Sequence, residues 1–527
     1  MATKRALHYI ALGMAHRLAE EIDKDMGAGG GGGSAGLSLA SFGAVPNDPE
    51  AADRNSEAFR EGAPAAMEAG VKLVIPSGVF YVPEKILIPA VADLFIEGEP
   101  GAVVKGLPGD EYAGTDRPMI EIDGGSARPR LTVHNVTFDN SDRIFIEAEQ
   151  SGTGLSLKRL DDVTITGCQF PGGALPENLN SGRGDSGVTA QQVRRLFIHD
   201  NYFLRQPDIG VYITGGGSAG PEDDDGETVI TGNVFELCQV AASAKRQARN
   251  TVFSNNIVRY CHVGFTLFEA SGLAPGRVCT VTGNIFEKLG TRAVDIRGSF
   301  GDTVANNSLT DWGYLPDGVT LSAGQQGMFF RGSEGASITG NTLGLKDWTN
   351  SNHYGIQFQS FDDPDNGTVQ SRRNSVWGNR IFGVSRGINE IHGTTDNHGD
   401  NWISATVPIQ FATGSQSTYG VMSTGGVRRY QASGSASMQI NRMGATDGQL
   451  IRFERNGSNI GEVSSNSAGY AAFIGAPQLP QFTVATLPPA TGRGRQLVFV
   501  TGEVGGATVA FSDGTNWRRV QDREIVS

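Results

Sequence analysis

No apolar run in these 527 residues reaches the roughly 20 needed to cross a bilayer. The nearest, Ala6 to Leu18, is interrupted by His8, His16 and Arg17. It also lacks the apolar core and small-residue cleavage site of a secretory signal peptide. The expectation is a soluble chain made in a cytoplasm, with no membrane insertion. Cysteine is scarce: Cys168, Cys238, Cys261 and Cys279 make no CxxC pair, and no His stands at zinc-finger spacing. They read as small buried hydrophobes, with neither metal nor cofactor expected. Charged residues are only 19%, and the net charge of −13 argues against nucleic acid as the main partner. Glycine has no period of three, which excludes collagen. No like-charge block dominates, which excludes disorder of the whole chain.

Glycine itself is plentiful, 73 residues, and the chain repeats. Seven segments share an Asn-x-apolar element: Asn201-Tyr202-Phe203, Asn233-Val234-Phe235, Asn256-Ile257-Val258, Asn284-Ile285-Phe286, Asn307-Ser308-Leu309, Asn341-Thr342-Leu343 and Asn379-Arg380-Ile381. Val163 to Phe170 fits the same frame, with Cys168 in the Asn position. The Asn spacings are 32, 23, 28, 23, 34 and 38 residues. A 23-residue turn with variable insertions is the rung of a parallel β-helix, because leucine-rich repeats need a Leu pattern absent here and propeller blades need longer antiparallel units. An Asn at each corner tolerates the left-handed backbone region, and stacked amides can bond along the solenoid.

Each rung carries a second strand that begins on a small residue: Gly210, Ala241, Gly264, Ala293, Gly327, Gly355 and Gly387. Period-two alternation places one outward column at Tyr212, Ser243, Thr266, Asp295, Phe329, Gln357 and Asn389. A second runs through Thr214, Lys245, Phe268, Arg297, Arg331 and Gln359. Glu390 breaks the pattern of the last rung and leaves its register open.

Residues 3 to 26 read as a helix with an apolar stripe through Leu7, Ala11, Met14, Leu18 and Ile22. Residues 27–36 form a Gly-rich tether. The stretch Phe42-Gly43-Ala44-Val45-Pro46-Asn47-Asp48, a helix from about Asn55 to Ala69, and Leu73-Val74-Ile75-Pro76-Ser77-Gly78-Val79-Phe80-Tyr81-Val82 together resemble the opening of pectate-lyase-like right-handed β-helix proteins. The resemblance covers residues 37–410 and implies an all-β right-handed parallel β-helix whose helix caps the first rung. Residues 411–480, with the hairpin signal Asn456-Gly457, and residues 481–527 resemble C-terminal modules of bacteriophage and gene-transfer-agent fibre proteins. An anchoring helix in 1–26, a β-helix body and a fibre-like end resemble a tailspike. That likeness implies a homotrimer that binds, and in some cases depolymerises, bacterial surface polysaccharide. Residues 1–26 would hold the virion base or capsid protein.

Sugar hydrolysis needs one carboxyl as acid and another as base or nucleophile. Asp295, the carboxylate that aligns in the outward column, pairs best with Glu269 just past Phe268. The competing reading bridges Asp295 to Lys245 or Arg297. Arg297 and Arg331, one rung apart, offer guanidinium forks for an acidic glycan. Phe329, Gln357 and Gln359 extend that patch, with Trp312 and Tyr314 expected at its rim because flat rings cover the apolar faces of sugars. The earlier rungs offer Tyr212 and Lys245. Glu236, Arg259 and Glu287 occupy one rung position and read as a structural ion ladder. The acids of Pro221 to Glu227 and of Asp362, Asp363 and Asp365 read as solvated loops, and Arg183-Gly184-Asp185 as a chance match. The leading expectation is a virion spike for acidic bacterial polysaccharide. The alternatives are a free polysaccharide hydrolase or lyase and a purely structural fibre.

Overall fold

Strands from Leu37–Ser38 to Asn397–Gly399 pair in parallel, rung upon rung, into a 13-stranded sheet. This is the first of three faces of a parallel solenoid. One rung shows the plan: Thr251–Ser254 on the first face, Ile257–Arg259 on the second and Val263–Phe268 on the third. Each pairs in register with its counterpart in the next rung. The structure is a computed structural model. It describes residues 36–83, 85–107, 118–142, 152–173, 186–214, 226–245, 250–268, 278–313, 325–346, 353–363, 367–390, 397–399, 401–411, 422–423, 427–432, 435–440, 448–455, 458–465, 471–474, 479–491, 493, 496–504 and 506–526. The expected helix of residues 3–26, the tether up to residue 35, Glu269, Tyr314, Asp365, residues 183–185 and 221–225, and Asn456-Gly457 lie outside the described residues.

The Asn series stands in one buried column. Nδ2 of Asn201 donates to Oδ1 of Asn233, and the same bond repeats through Asn256, Asn284, Asn307, Asn341 and Asn379 to Asn401, at 2.9–3.1 Å. Each Oδ1 also accepts the backbone N–H of the ladder residue one rung earlier, including that of Cys168. The second Nδ2 hydrogen goes to a carbonyl of the preceding rung, such as Phe253 O for Asn284. The left-handed corner residue is not this Asn. It is the residue before it: Gly167, Asp200, Gly232, Asn255, Gly283, Asn306, Gly340 and Gly378 all have positive φ. The ladder Asn is selected for its amide, which closes the buried turn, while its neighbour takes the backbone strain.

The core is one continuous cluster. Phe138, Phe170, Phe203 and Phe235 stack ring on ring with centroids 5.4, 4.8 and 4.8 Å apart. The small residue that opens each third-face strand lies against this column: a Cβ on Gly264 would stand 2.3 Å from the Ala293 carbonyl oxygen and 2.5 Å from the Phe286 ring. The four cysteines are free and buried. Trp312 is fully buried, not at a rim. Asp311 takes φ 57° and turns the chain so that Trp312 pairs with Leu289 in the inward corner column. The strand whose register Glu390 left open keeps it: Phe358 pairs with Glu390, whose side chain is buried in an inward position, and Trp402–Phe411 continues the face one rung further. Glu236, Arg259 and Glu287 are paired in register, and Arg259 donates to Glu236 at 2.9 Å.

The helix Ala52–Ala69 ends at Gly70 (φ 63°) and buries Ala58, Phe59, Ala63, Ala66 and Met67 against the first rungs. Asn55 fastens it, accepting from Val45 N at 2.7 Å and donating to Tyr81 O at 3.0 Å.

A second unit comprises Ile440 to Ser527. In it Gly448–Arg455 and Ser458–Ser465 pair antiparallel, with Arg455 opposite Ser458, as a two-residue hairpin requires. Leu497–Thr501, Thr508–Ser512 and Trp517–Arg519 form an antiparallel sheet, joined in parallel by Gln481–Thr483. Its core is Ala490, Val498, Val500, Ala510 and Trp517. The indole of Trp517 donates to Pro488 O at 2.7 Å.

Candidate functional site

The third face carries the outward columns in the order the sequence indicates. Tyr212, Ser243, Thr266, Asp295, Phe329, Gln357 and Asn389 are successive register partners. So are Thr214, Lys245, Phe268, Arg297, Arg331 and Gln359. Side chains two apart on a strand stand side by side, which brings Asp295 next to Arg297 and diagonally below Arg331.

Asp295 is 4% exposed and held by three guanidinium groups: Arg331 at 2.6 Å, Arg297 at 3.0 Å and Arg292 at 3.2 Å. Burial pushes its carboxyl up, but Arg292, Arg297 and Arg331 outweigh that and hold it below the usual carboxylate range. It is therefore ionised at neutral pH, an anchor for arginines and not a ready proton donor. Of the two readings of Asp295 in the sequence, the bridge to Arg297 is present, with Arg331 and Arg292 added.

Phe329 lies between two of these cations, with its centroid 4.5 Å from the Arg331 guanidinium and 5.1 Å from that of Arg292. Its ring is consequently nearly covered, not laid open as a sugar platform. Gln357, one rung on, is buried, and its Oε1 has no hydrogen-bond partner among the described residues. Gln359 ends the strand in register with Arg331. The three arginine side chains keep 19–27% of their surface, so the cluster reaches the outside through its cations. Three guanidinium groups converge on this one carboxylate, on a chain of net charge −13.

Two features escaped the sequence. Glu121 lies in the same outward column as Asp295, several rungs earlier, and is clamped by Lys85 at 2.8 Å and Lys158 at 2.9 Å. Asp208, just before Ile209–Thr214, carries a carboxyl that burial pushes up to about 6 despite Lys245 nearby. Extending the outward column back through Ser156, which shares a register with Glu121, is the signal that could have found it. Nothing local marks Asp208, whose Gln206-Pro207-Asp208 setting looks like any turn. Among the described residues no group of three or more His, Cys, Asp or Glu has metal-binding geometry.

Residues 118–274 match the family described as "Right handed beta helix region". No curated protein matches the chain in sequence. Among solved structures, the Azotobacter vinelandii mannuronan C-5 epimerase AlgE6 A-module is similar at a TM-score of 0.50 and 16% identity, over 73% of this chain and 99% of that one. The bacteriophage phi29 gene product 12 N-terminal fragment is similar at a TM-score of 0.50 and 14% identity, over 89% of this chain and 77% of that one. Identities this low speak for the fold alone. Strand order, register, the Asn ladder and these matches agree: the chain is a right-handed parallel β-helix protein.

Proposed function

We propose that this protein is a spike or fibre of a phage or phage-like particle, and that its third face binds an acidic bacterial surface polysaccharide. The observation that carries the reading is the arginine cluster: three guanidinium groups gathered on one carboxylate, partly open to solvent, on an outward sheet face of an acidic chain. Guanidinium forks pair with uronate or phosphate groups in two-point contacts, and Asp295 holds these forks in a fixed array. The likeness to a phage gene product supports placement on a particle, and the likeness to a mannuronan epimerase supports an acidic polysaccharide as ligand. In this reading the protein is a homotrimer attached to the particle through residues 1–26, and the C-terminal modules complete the fibre. A free polysaccharide enzyme is the second reading, favoured by the polysaccharide-acting neighbour.

The test is binding of acidic polymers, namely polygalacturonate, alginate and purified capsular polysaccharide, to the full chain and to Arg297→Ala and Arg331→Ala. A sheltered charge-assisted contact contributes about 1.5–3 kcal/mol, so either variant should lose roughly tenfold or more in affinity. If both variants bind as tightly as the parent, the site is elsewhere.

A further inference from the structure

Cations of the third face recur in one outward column. Lys158, Lys245, Arg297 and Arg331 are joined by successive register pairs, three, two and one rung apart. From Lys158 to Arg331 the column climbs six rungs, about 29 Å along the solenoid axis. The eight third-face strands from Thr153–Lys158 to Tyr354–Gln359 hold these four cations, Arg292 and a single carboxylate, Asp295. The first face mixes the signs instead, with Asp162, Arg195 and Glu227 in successive register. Cationic side chains are thus gathered on the third face of a chain whose net charge is −13.

Three of the four cations rest on the same diagonal contact. Lys158 reaches Glu121 at 2.9 Å, Lys245 places its Nζ 5.1 Å from the Tyr212 ring centroid, and Arg331 reaches Asp295 at 2.6 Å. Glu121, Tyr212 and Asp295 belong to one column, the neighbouring outward one, and each stands one rung before its cation. Arg297, the fourth, takes Asp295 from its own strand at 3.0 Å. The carboxylate anchors are buried, while Lys158, Arg297 and Arg331 keep 26, 27 and 20% of their side-chain surface and Lys245 is half-buried. Ordering a long cationic side chain costs binding free energy. Here the inner column does that ordering within the folded chain.

Resting on the glycan-binding reading above, we propose that the third face is a linear track on which one extended polyanion lies along the solenoid axis, over Lys158, Lys245, Arg297 and Arg331. A ligand that touches all four has no other course, because a column of register partners runs along that axis. The ligand class is therefore a linear polymer with anionic groups repeated along its length. A compact anion meets the Arg297–Arg331 pair alone. A pyranose in a chain is about as long as a rung is tall, so the track takes about six or seven sugars. Lys158, five rungs from Arg297, touches sugars that the arginines do not. Glu121, Tyr212 and Asp295 act through the cations they hold and are positioning residues.

The experiment titrates the full chain, Lys158→Gln, Lys245→Gln and Arg331→Ala with galacturonate and mannuronate oligomers, a trisaccharide and a decasaccharide of each. The parent should bind a decasaccharide more tightly than the trisaccharide. Each lysine variant should bind that decasaccharide about two- to fivefold more weakly, the worth of one solvent-exposed ion pair. Each should also show a shallower salt dependence, because fewer counterions are released. Lys158→Gln should leave the trisaccharide unaffected, whereas Arg331→Ala should weaken both lengths. Lys85 still reaches Glu121 in Lys158→Gln, and circular dichroism checks the fold. If that variant does not fold, Lys245→Gln carries the test. A decasaccharide that binds no better than the trisaccharide overturns the track and leaves the arginine site standing. So do lysine variants that bind the decasaccharide like the parent. A loss in Lys158→Gln that is equal for both lengths overturns it too, since a direct contact at that distance acts on the long chain alone. If no oligomer binds, the binding reading falls and this one with it.

Discussion

Nη2 of Arg331 lies 2.6 and 2.7 Å from the two carboxylate oxygens of Asp295, which sits one rung earlier and one column over. The contact crosses the rung boundary diagonally, and Asp295 thereby ties two turns of the solenoid together while it arrays the cations that face outward.

Replacing Asp295 by Ala should therefore destabilise the β-helix. Three arginines would lose their counter-charge, and breaking a buried pair by removing one partner costs about 3–5 kcal/mol. Urea unfolding followed by circular dichroism reads this directly. A midpoint unchanged from the parent would mean that solvent already screens the arginines.

The same carboxylate makes stability depend on pH with a definite sign. Its folded-state pKa is depressed by Arg292, Arg297 and Arg331 against the opposing effect of burial. Its contribution is fully present above the unfolded value, about 4, and is lost as pH falls below it through the folded value. The urea midpoint of the parent should drop more steeply below about pH 4 than that of Asp295→Asn. Parallel curves would contradict the assignment.

Asn284→Ala should be among the costliest substitutions in the chain. It takes the acceptor from the N–H and one Nδ2 hydrogen of Asn256 and the side-chain donor from the carbonyl of Phe253, all buried, while Oδ1 of Asn307 keeps only the backbone N–H of residue 284. Each unsatisfied group costs about 1–3 kcal/mol, so a loss of several kcal/mol is expected, or failure to fold. The milder Asn284→Ser, read by thermal unfolding, should fall between the two. Parent-like stability in either variant would remove the ladder from the account.

Gly264→Ala should destabilise by overpacking, about 1–3 kcal/mol, because the new methyl would meet the Phe286 ring and the Ala293 carbonyl. Trimming the ring in Gly264→Ala/Phe286→Leu should recover part of that loss. Additive effects in calorimetry would show that the two residues do not share the space.

The ladder Asn residues and the outward columns were legible in the sequence because a parallel solenoid repeats one local environment. The same residue types return at each corner, and period-two alternation does the rest. The cap was legible through the helix of residues 52–69 and the Leu73–Val82 run. Trp312 was not. Its inward turn depends on Asp311 adopting a left-handed corner, and an Asp at that point is compatible with a loop just as well.

What the sequence by itself determined is the repeat: its length, the amide at each corner, and which side chains leave the third face together. Those follow from backbone geometry, which every rung obeys alike. The tertiary structure decided the protonation of the acids. Asp295 and Asp208 have the same side chain, yet one is held ionised by cations from its own and the following rung, and the other, at the corner before Ile209–Thr214, is partly buried with no hydrogen bond to its carboxyl from a described residue. Desolvation and charge act through space, as between Asp295 and Arg331, 36 residues apart in the chain. Only the stacking of rungs brings those residues within reach of one another.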